Sequence, residues 1–317
     1  MAEWLISIEG TDAGRTLALA LALLAAFLHA FFGALQKGAY DPWTTRTVID
    51  GTYALLALPF LFLVPLPPTE TWPLFAIAWV IHVGYKCLQA AAYTAGAYLV
   101  VYPVVRGTGP VFTVIGAGFL FSETFSLTQW LGVALLVGGI FGFSLYNLRH
   151  ITLDRALLPR AISLAVLTGC FVAMYTTWDA FVIRSVPNPF TFLAWFFFLD
   201  GLAFPLGWLA MHRRLPSVSP PLIRLGVIGA VTAYFSFGGI MLATRLDNVG
   251  EAAVLRETSV LFSALIGWLV LKEGVGPRRL ALMALIAAEN STLVSRRTAA
   301  SPTLSSRVAN MMPPNEK

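Results

Sequence analysis

Laid over itself at an offset of 150 residues, the chain brings residues 29 to about 139 onto 179 to about 289 without a gap, and its rare polar residues coincide. Asp50-Gly51 falls on Asp200-Gly201, Arg106 on Arg256, Thr108 on Thr258 and Glu123 on Glu273, with His29 opposite Asp179. Identities overall barely exceed chance in so apolar a chain, so the weight rests on ionisable residues that a membrane-like sequence seldom holds. The pattern implies duplication. Internal repeats with polar breaks at matching places point to solute movement through a site near the membrane midplane, between the two halves.

Of the residues, 57% are hydrophobic and only 12% charged, against roughly 25% charged in soluble domains. Apolar runs of about 20 residues, enough to cross a bilayer, read at 16–36, 47–65, 73–94, 98–121, 128–147, 160–183, 189–210, 223–243, 251–271 and 278–295. The fold class is therefore an all-α membrane protein with ten transmembrane helices, five per repeat. Because five is odd, the second half enters the bilayer upside down, which makes two inverted five-helix repeats around a central cavity. The domain boundaries follow: an N-terminal segment at 1–15, the first repeat at 16–147, a linker at 148–159, the second repeat at 160–295 and a Ser-, Pro- and Arg-containing disordered tail at 296–317.

Glu3, Glu9 and Asp12 precede the first apolar run, which is longer than the 7–15 residues of a signal-peptide core and is expected to remain as the first span. Cys87 and Cys170 fall inside predicted helices, so neither a disulfide framework nor a metal site is expected, and no cofactor is implied. The formal charge of +5 resides at helix ends and in the tail rather than on a patch, which reads as anchoring to membrane lipid and not as nucleic-acid binding. Loops opposite the termini hold most of the cations, among them Arg149, Arg155, Arg160, Arg213, Arg214, Arg278 and Arg279, so the positive-inside rule taken alone puts the termini outside. Nothing in the sequence specifies an oligomer, and a monomer is the default expectation.

Charges at mid-helix cost roughly 2.5–3.5 kcal/mol on insertion scales and usually face a bundle interior or a watery cavity. His82, Tyr85, Lys86, Gln89 and Tyr93 follow helical spacing and form one polar and aromatic stripe. It reads as a substrate-lining wall or as an interhelical network with Lys86 paired to a carboxylate. Tyr102, Arg106, Pro110 and Thr113 share the next face, with Pro103 and Pro110 bracketing the arginine. Two prolines predict a broken helix, and a cation beside it suits an anionic group such as a carboxylate. Arg256 repeats the cation without a proline and is followed by Glu257, so an internally balanced, structural pair is expected there. Tyr175, Trp178 and Asp179 share a face, as do His29 and Phe32 at the symmetry-related place. His29 and Asp179 then approach the centre from opposite halves, either as a proton-coupling pair or as a helix-bridging hydrogen bond. Asp50 and Asp200 read as turn or packing residues beside glycines that permit close helix approach. Glu123 and Glu273 read as interfacial residues that cap the following helix.

These residues resemble the drug/metabolite transporter superfamily, specifically its ten-helix EamA-type branch. The likeness rests on Leu28-His29-Ala30 with Ala34-Leu35 and Lys37, where Gly33 replaces an expected Asn, and more specifically on Val101-Tyr102-Pro103 with Arg106-Gly107-Thr108-Gly109-Pro110 and on Leu255-Arg256-Glu257-Thr258-Ser259-Val260-Leu261-Phe262. Tyr175-Thr176 with Asp179, Leu199-Asp200-Gly201 and Leu271-Lys272-Glu273 also fit, whereas Glu289 and Asn290 depart from the small residues expected in the last helix. The resemblance implies a bacterial inner-membrane carrier with cytoplasmic termini, against the charge tally, exporting amino acids or related metabolites by alternating access.

The leading expectation is thus a secondary transporter, an exporter of small zwitterionic or anionic metabolites. Its substrate-binding residues are expected to be His82, Tyr85, Lys86, Gln89, Tyr102, Arg106, Tyr175 and Trp178. The alternatives are a multidrug or lipid-linked solute exporter and, in another class, a non-transporting membrane sensor or assembly protein. An intramembrane enzyme is disfavoured, because there is no zinc-binding His-Glu-x-x-His helix and no Gly-x-Ser-x-Gly elbow.

Overall fold

The computed structural model describes residues 1–36, 40–95, 98–150, 158–262 and 265, and the regular structure among them is helical. In chain order the helices are α1 (Ala2–Ser7), α2 (Asp12–Gln36), α3 (Pro42–Ala57), α4 (Trp72–Ala95), α5 (Tyr98–Phe121), α6 (Leu127–His150), α7 (Leu158–Ser185), α8 (Pro189–His212), α9 (Pro220–Leu246) and α10 (Val249–Arg256). Six stretches among the described residues are long and apolar enough to cross a membrane: Asp12–Phe32, Thr69–Ala95, Val104–Phe121, Leu158–Ser185, Pro189–His212 and Pro220–Leu246. The predicted span at 278–295, the tail at 296–317, most of the linker, and Lys37, Glu273, Glu289 and Asn290 lie outside the described residues.

Local chemistry sets the helix ends. The Asp41 carboxylate accepts the Thr44 amide at 2.8 Å, and Pro42 occupies the first turn, so α3 starts five residues before the apolar run that predicted it. Asn188 and Pro189 start α8 the same way, and α8 ends on Arg213 in the left-handed region at φ 57°. Before α6, Ser126 and Gln129 exchange hydrogen bonds reciprocally through side chain and backbone, which satisfies amides that the first turn leaves open. The N-terminal segment, expected only as a polar lead-in, carries the short helix α1.

Two corrections concern helix breaks. The prolines at 103 and 110 do not break α5, which runs as one helix from Tyr98 to Phe121. The interruption falls instead at its repeat-related partner: α10 ends at Arg256, Glu257 and Thr258 form a turn, and helix resumes at 259–262.

The molecule is apolar outside and polar within. Phe62, Phe119 and Met211 are each at least 80% exposed, while Asp50, Lys86, Asp179 and Glu257 are buried to 1% or less. That inversion suits a chain whose surroundings are hydrocarbon, where apolar side chains lose nothing by pointing outward and charges must find partners inside. The principal helix contacts are α2 with α9, α4 with α7, α5 with α7, α3 with α8, α5 with α6 and α3 with α9; α10 lies against α2 and α5. Small residues set the tightest of these. A Cβ on Gly201 would come within 2.7 Å of the Asp50 carbonyl and of Ala54 Cβ, and one on Gly169 within 2.6 Å of Thr108 Cβ. Close approach at glycine is how membrane helices gain packing without a hydrophobic driving force.

At one end of the bundle, arginines tie helix termini together. Arg184 near the end of α7 donates to the Thr244 carbonyl in the last turn of α9 and the Asp247 carbonyl just after it, and Arg245 near the end of α9 donates to the Ile183 carbonyl of α7 and the Val186 carbonyl just after it. Arg245 also meets Glu9 at 2.5 Å. Glu123 caps a helix as expected, but not the following one: it accepts the Val249 and Gly250 amides at 2.7 and 3.0 Å and so caps α10.

Two outcomes follow. Gly201→Ala is expected to lower thermal stability in detergent by about 1–3 kcal/mol through overpacking. Gly207→Ala, where a Cβ meets nothing within 4 Å, is expected to be neutral or mildly stabilising, and the two melting curves decide it. Burial pushes the Glu123 carboxyl above its ordinary 4.5, against the opposing pull of the Gly250 and Val249 amides. The folded state therefore holds this proton more tightly than the unfolded state, so its contribution to stability falls as pH rises from about 4.5 through the raised value and is flat above it. The difference between native and Glu123→Gln melting temperatures across pH 4–8 should show that decline.

Candidate functional site

Seven helices converge on a small central cavity of ≈ 80 Å³. His29 and Phe32 come from α2, Arg46 and Tyr53 from α3, His82 and Tyr85 from α4, Tyr175 from α7, Phe196, Phe197 and Asp200 from α8, Ser236 and Phe237 from α9, and Arg256 from the end of α10. A space of this size holds a few waters.

Behind one wall lies a buried ionic knot. Lys86 Nζ sits 2.6 Å from Asp50 Oδ2, from Asp200 Oδ2 and from the Tyr53 hydroxyl, and 3.3 Å from the Asp200 carbonyl. Tyr53 in turn donates to Asp200, and Arg46 Nε pairs with Asp50 Oδ1 at 2.9 Å. Two cations thus balance two carboxylates, one from each predicted repeat. Asp50 and Asp200 were expected as turn or packing residues; they are instead the counter-ions of Lys86, and the glycines beside them bring α3 and α8 close enough for one ammonium to reach both.

A second cluster is the pair of His82 and Asp179, with Nε2 2.6 Å from Oδ2. His82 is packed among aromatic rings, at 4.5 Å from Tyr175, 4.6 Å from Phe196 and 5.5 Å from Phe237 between centroids. Asp179 Oδ1 is buried without a hydrogen-bond partner. The expected partnership of His29 with Asp179 is not formed: α7 packs on α4 and α5 while α2 packs on α9, so Asp179 meets the histidine of α4. His29 faces the cavity separately, beside Phe32.

The third cluster surrounds Glu257 in the turn that interrupts the helix after α10. Arg106 Nε lies 3.3 Å from Glu257 Oε2 and Arg256 Nε 3.9 Å from Oε1, so two guanidinium groups share one carboxylate and leave one positive charge over. Arg106 also donates to Ser259 at 2.5 Å and stands over the Tyr102 ring at 5.7 Å. Arg106 is not among the residues lining the cavity, whereas Arg256 is, 6.0 Å from the Tyr175 ring centroid; among the described residues the Nε of each is without a hydrogen bond. Arg106, expected at the substrate, thus stands behind the wall, and Arg256, expected as a structural partner of Glu257, borders the cavity.

Of the residues expected to touch substrate, His82, Tyr85 and Tyr175 line the cavity. Lys86 lies buried in the knot, Gln89 donates to the Tyr85 hydroxyl at 2.8 Å, Tyr102 lies beneath Arg106, and Trp178 donates to the Leu74 carbonyl at 3.0 Å. Sequence reasoning missed Arg46, Tyr53, Phe196, Phe197, Ser236 and Phe237 as cavity residues. Arg46 and Phe196 occupy equivalent places at the 150-residue offset, a signal that the mismatch in residue type concealed. Among the described residues, no group of three or more His, Cys, Asp or Glu side chains is arranged to hold a metal ion.

Residues 159–288 match the EamA-like transporter family. No curated protein sequence matches the chain. A solved structure titled "Crystal structure of protein" superposes with a TM-score of 0.69 over 91% of this chain and 99% of its own, at 16% identity, which is a likeness of fold.

Proposed function

We propose that this multi-pass membrane protein, whose residues 159–288 match the EamA-like transporter family, is an inner-membrane secondary exporter of small zwitterionic metabolites such as amino acids. The family is typically non-enzymatic, in keeping with a role in moving solute rather than converting it. The observation that carries the substrate class is Arg256, a cavity-lining guanidinium with an incompletely matched charge. Asp200 also lines the cavity, and its Oδ1 is buried without a hydrogen-bond partner among the described residues. A solute with a carboxylate at Arg256 and an ammonium at Asp200 satisfies both, with its side chain among Tyr175, Phe196 and Phe237.

Alternating access between two inverted five-helix repeats fits the packing pattern. A shift of 150 residues exchanges α2 with α7, α3 with α8, α4 with α9 and α5 with α10. Under that exchange the α2–α9 contact becomes α7–α4, α5–α7 becomes α10–α2, α3–α9 becomes α8–α4, and α3–α8 maps onto itself. The site then lies where the halves meet, as in other inverted-repeat carriers. His82 with Asp179 is the proposed proton-coupling pair in place of His29 with Asp179, since His82 borders the cavity and meets Asp179 through one short contact.

The alternative, a bulky apolar or lipid-linked solute, draws support from a lateral cavity of ≈ 580 Å³ lined by Leu21, Leu24, Phe60, Leu193, Tyr234 and Leu242, among others. Proteoliposome counterflow with labelled amino acids separates these readings. Arg256→Ala is expected to raise the half-saturating concentration about 10- to 100-fold, the worth of a charge-assisted hydrogen bond, with Arg256→Lys intermediate. Transport indifferent to Arg256 but lost in Leu242→Trp would favour the apolar solute, and absence of flux for every amino acid and apolar probe would favour a sensor or assembly protein. In the same vesicles, Asp179→Asn should retain counterflow while losing accumulation driven by an imposed proton gradient; unchanged accumulation would remove the pair from coupling.

A further inference from the structure

We infer that the oxygen cage of Asp50, Tyr53 and Asp200 is a monovalent-cation site whose resident cation is the ammonium of Lys86. Nζ is held as an inorganic ion would be, by two carboxylate oxygens and a hydroxyl at 2.6 Å and a backbone carbonyl at 3.3 Å. The ligands come from α3 and α8, while the cation comes on a long stem from α4. The two carboxylates are equivalent at the 150-residue offset and meet in one cage, but the position equivalent to Lys86 is Ser236, so the carboxylate is supplied twice and the cation once.

Charge fixes the valence. Arg46 neutralises one of the two carboxylates, and removal of the ammonium leaves a single uncompensated negative charge among hard oxygen donors. That donor set suits a monovalent alkali ion; no nitrogen or sulfur ligand that a transition metal would prefer belongs to the cage. Access exists, because Asp200 and Tyr53 also border the central cavity, and Asp200 Oδ1, on a residue 3% exposed, is without a hydrogen-bond partner. The native chain thus carries its own cation between α3 and α8 and needs none from solution.

The test uses the purified full-length chain and no transport assay, so its failure leaves the proposed solute transport untouched and conversely. Lys86→Met keeps the stem and deletes the charge. Its melting temperature is expected to rise by about 5 °C or more when choline chloride is replaced by sodium or potassium chloride at equal ionic strength, as binding to the folded state requires. The native chain and the charge-balanced variant Lys86→Met/Asp200→Asn should not respond. Recovery of Lys86→Met from membranes only when an alkali chloride is present would also support the site. The inference is overturned if Lys86→Met responds no more than the native chain, if the double variant responds equally, or if Lys86→Met is recovered in neither salt while the double variant is. It is likewise overturned if Lys86→Met is equally stable in choline and alkali chloride and merely loses stability as pH rises, which would mean that a proton replaces the ammonium.

Discussion

One buried ammonium between two aspartates is the constraint on which the rest of the architecture depends. An unpaired charge inside a membrane protein is costly enough to prevent insertion or force it toward water. Lys86 resolves this by reaching Asp50 and Asp200 together, which in turn demands that α3 and α8 lie nearly in backbone contact. Gly201 supplies that proximity, since a Cβ there would strike both the Asp50 carbonyl and Ala54. The ionic knot and the helix crossing therefore specify each other. Neither the charges nor the small residues make sense alone.

Around the knot the polar groups are graded rather than uniform. The charges of Lys86 and Asp50 are paired, His82 and Asp179 share one short contact and leave one oxygen over, and Arg256 borders the cavity with its charge incompletely balanced. Matched groups hold helices in register, while unmatched groups at a cavity wall retain the capacity to bind. The gradation separates scaffold from site within a few residues, and it explains why Arg106 and Arg256, equivalent in sequence, differ in use. Arg106 stands 3.3 Å from Glu257 and donates to Ser259; Arg256 stands farther from Glu257, at 3.9 Å.

Much of this was legible from the chain alone, for identifiable reasons. Periodicity located the helices from 16 to 246, because a membrane span needs a long apolar run and polar turns bound it. The stripe of His82, Tyr85 and Lys86 read correctly as inward-facing, because helical spacing assigns faces. Partners were less legible. The pairing of His29 with Asp179 assumed that residues equivalent at the 150-residue offset meet, but α2 packs chiefly on α9 while α7 packs on α4 and α5, so Asp179 meets His82 instead. The prolines of α5 suggested a break that the helix, continuous from Tyr98 to Phe121, does not have, and the interruption falls at Glu257–Thr258, where no proline marks it. There the Glu257 and Thr258 amides bond carbonyls three residues back, at Val254 and Leu255, beside a carboxylate that meets two arginines. Likewise, the capping role of Glu123 was legible in its position at a helix end, but its target, α10, was not, because caps across the fold leave no spacing signature.

The crossed arginines at the ends of α7 and α9 carry a mechanical implication. Each guanidinium grips carbonyl oxygens on the other helix, so the two tips are riveted together, and Glu9 adds the N-terminal segment to the same plate. The positions equivalent at the 150-residue offset are Ala34 and Ala95, which have no means of gripping anything. Any separation of the tips of α7 and α9 would have to break these guanidinium–carbonyl hydrogen bonds together.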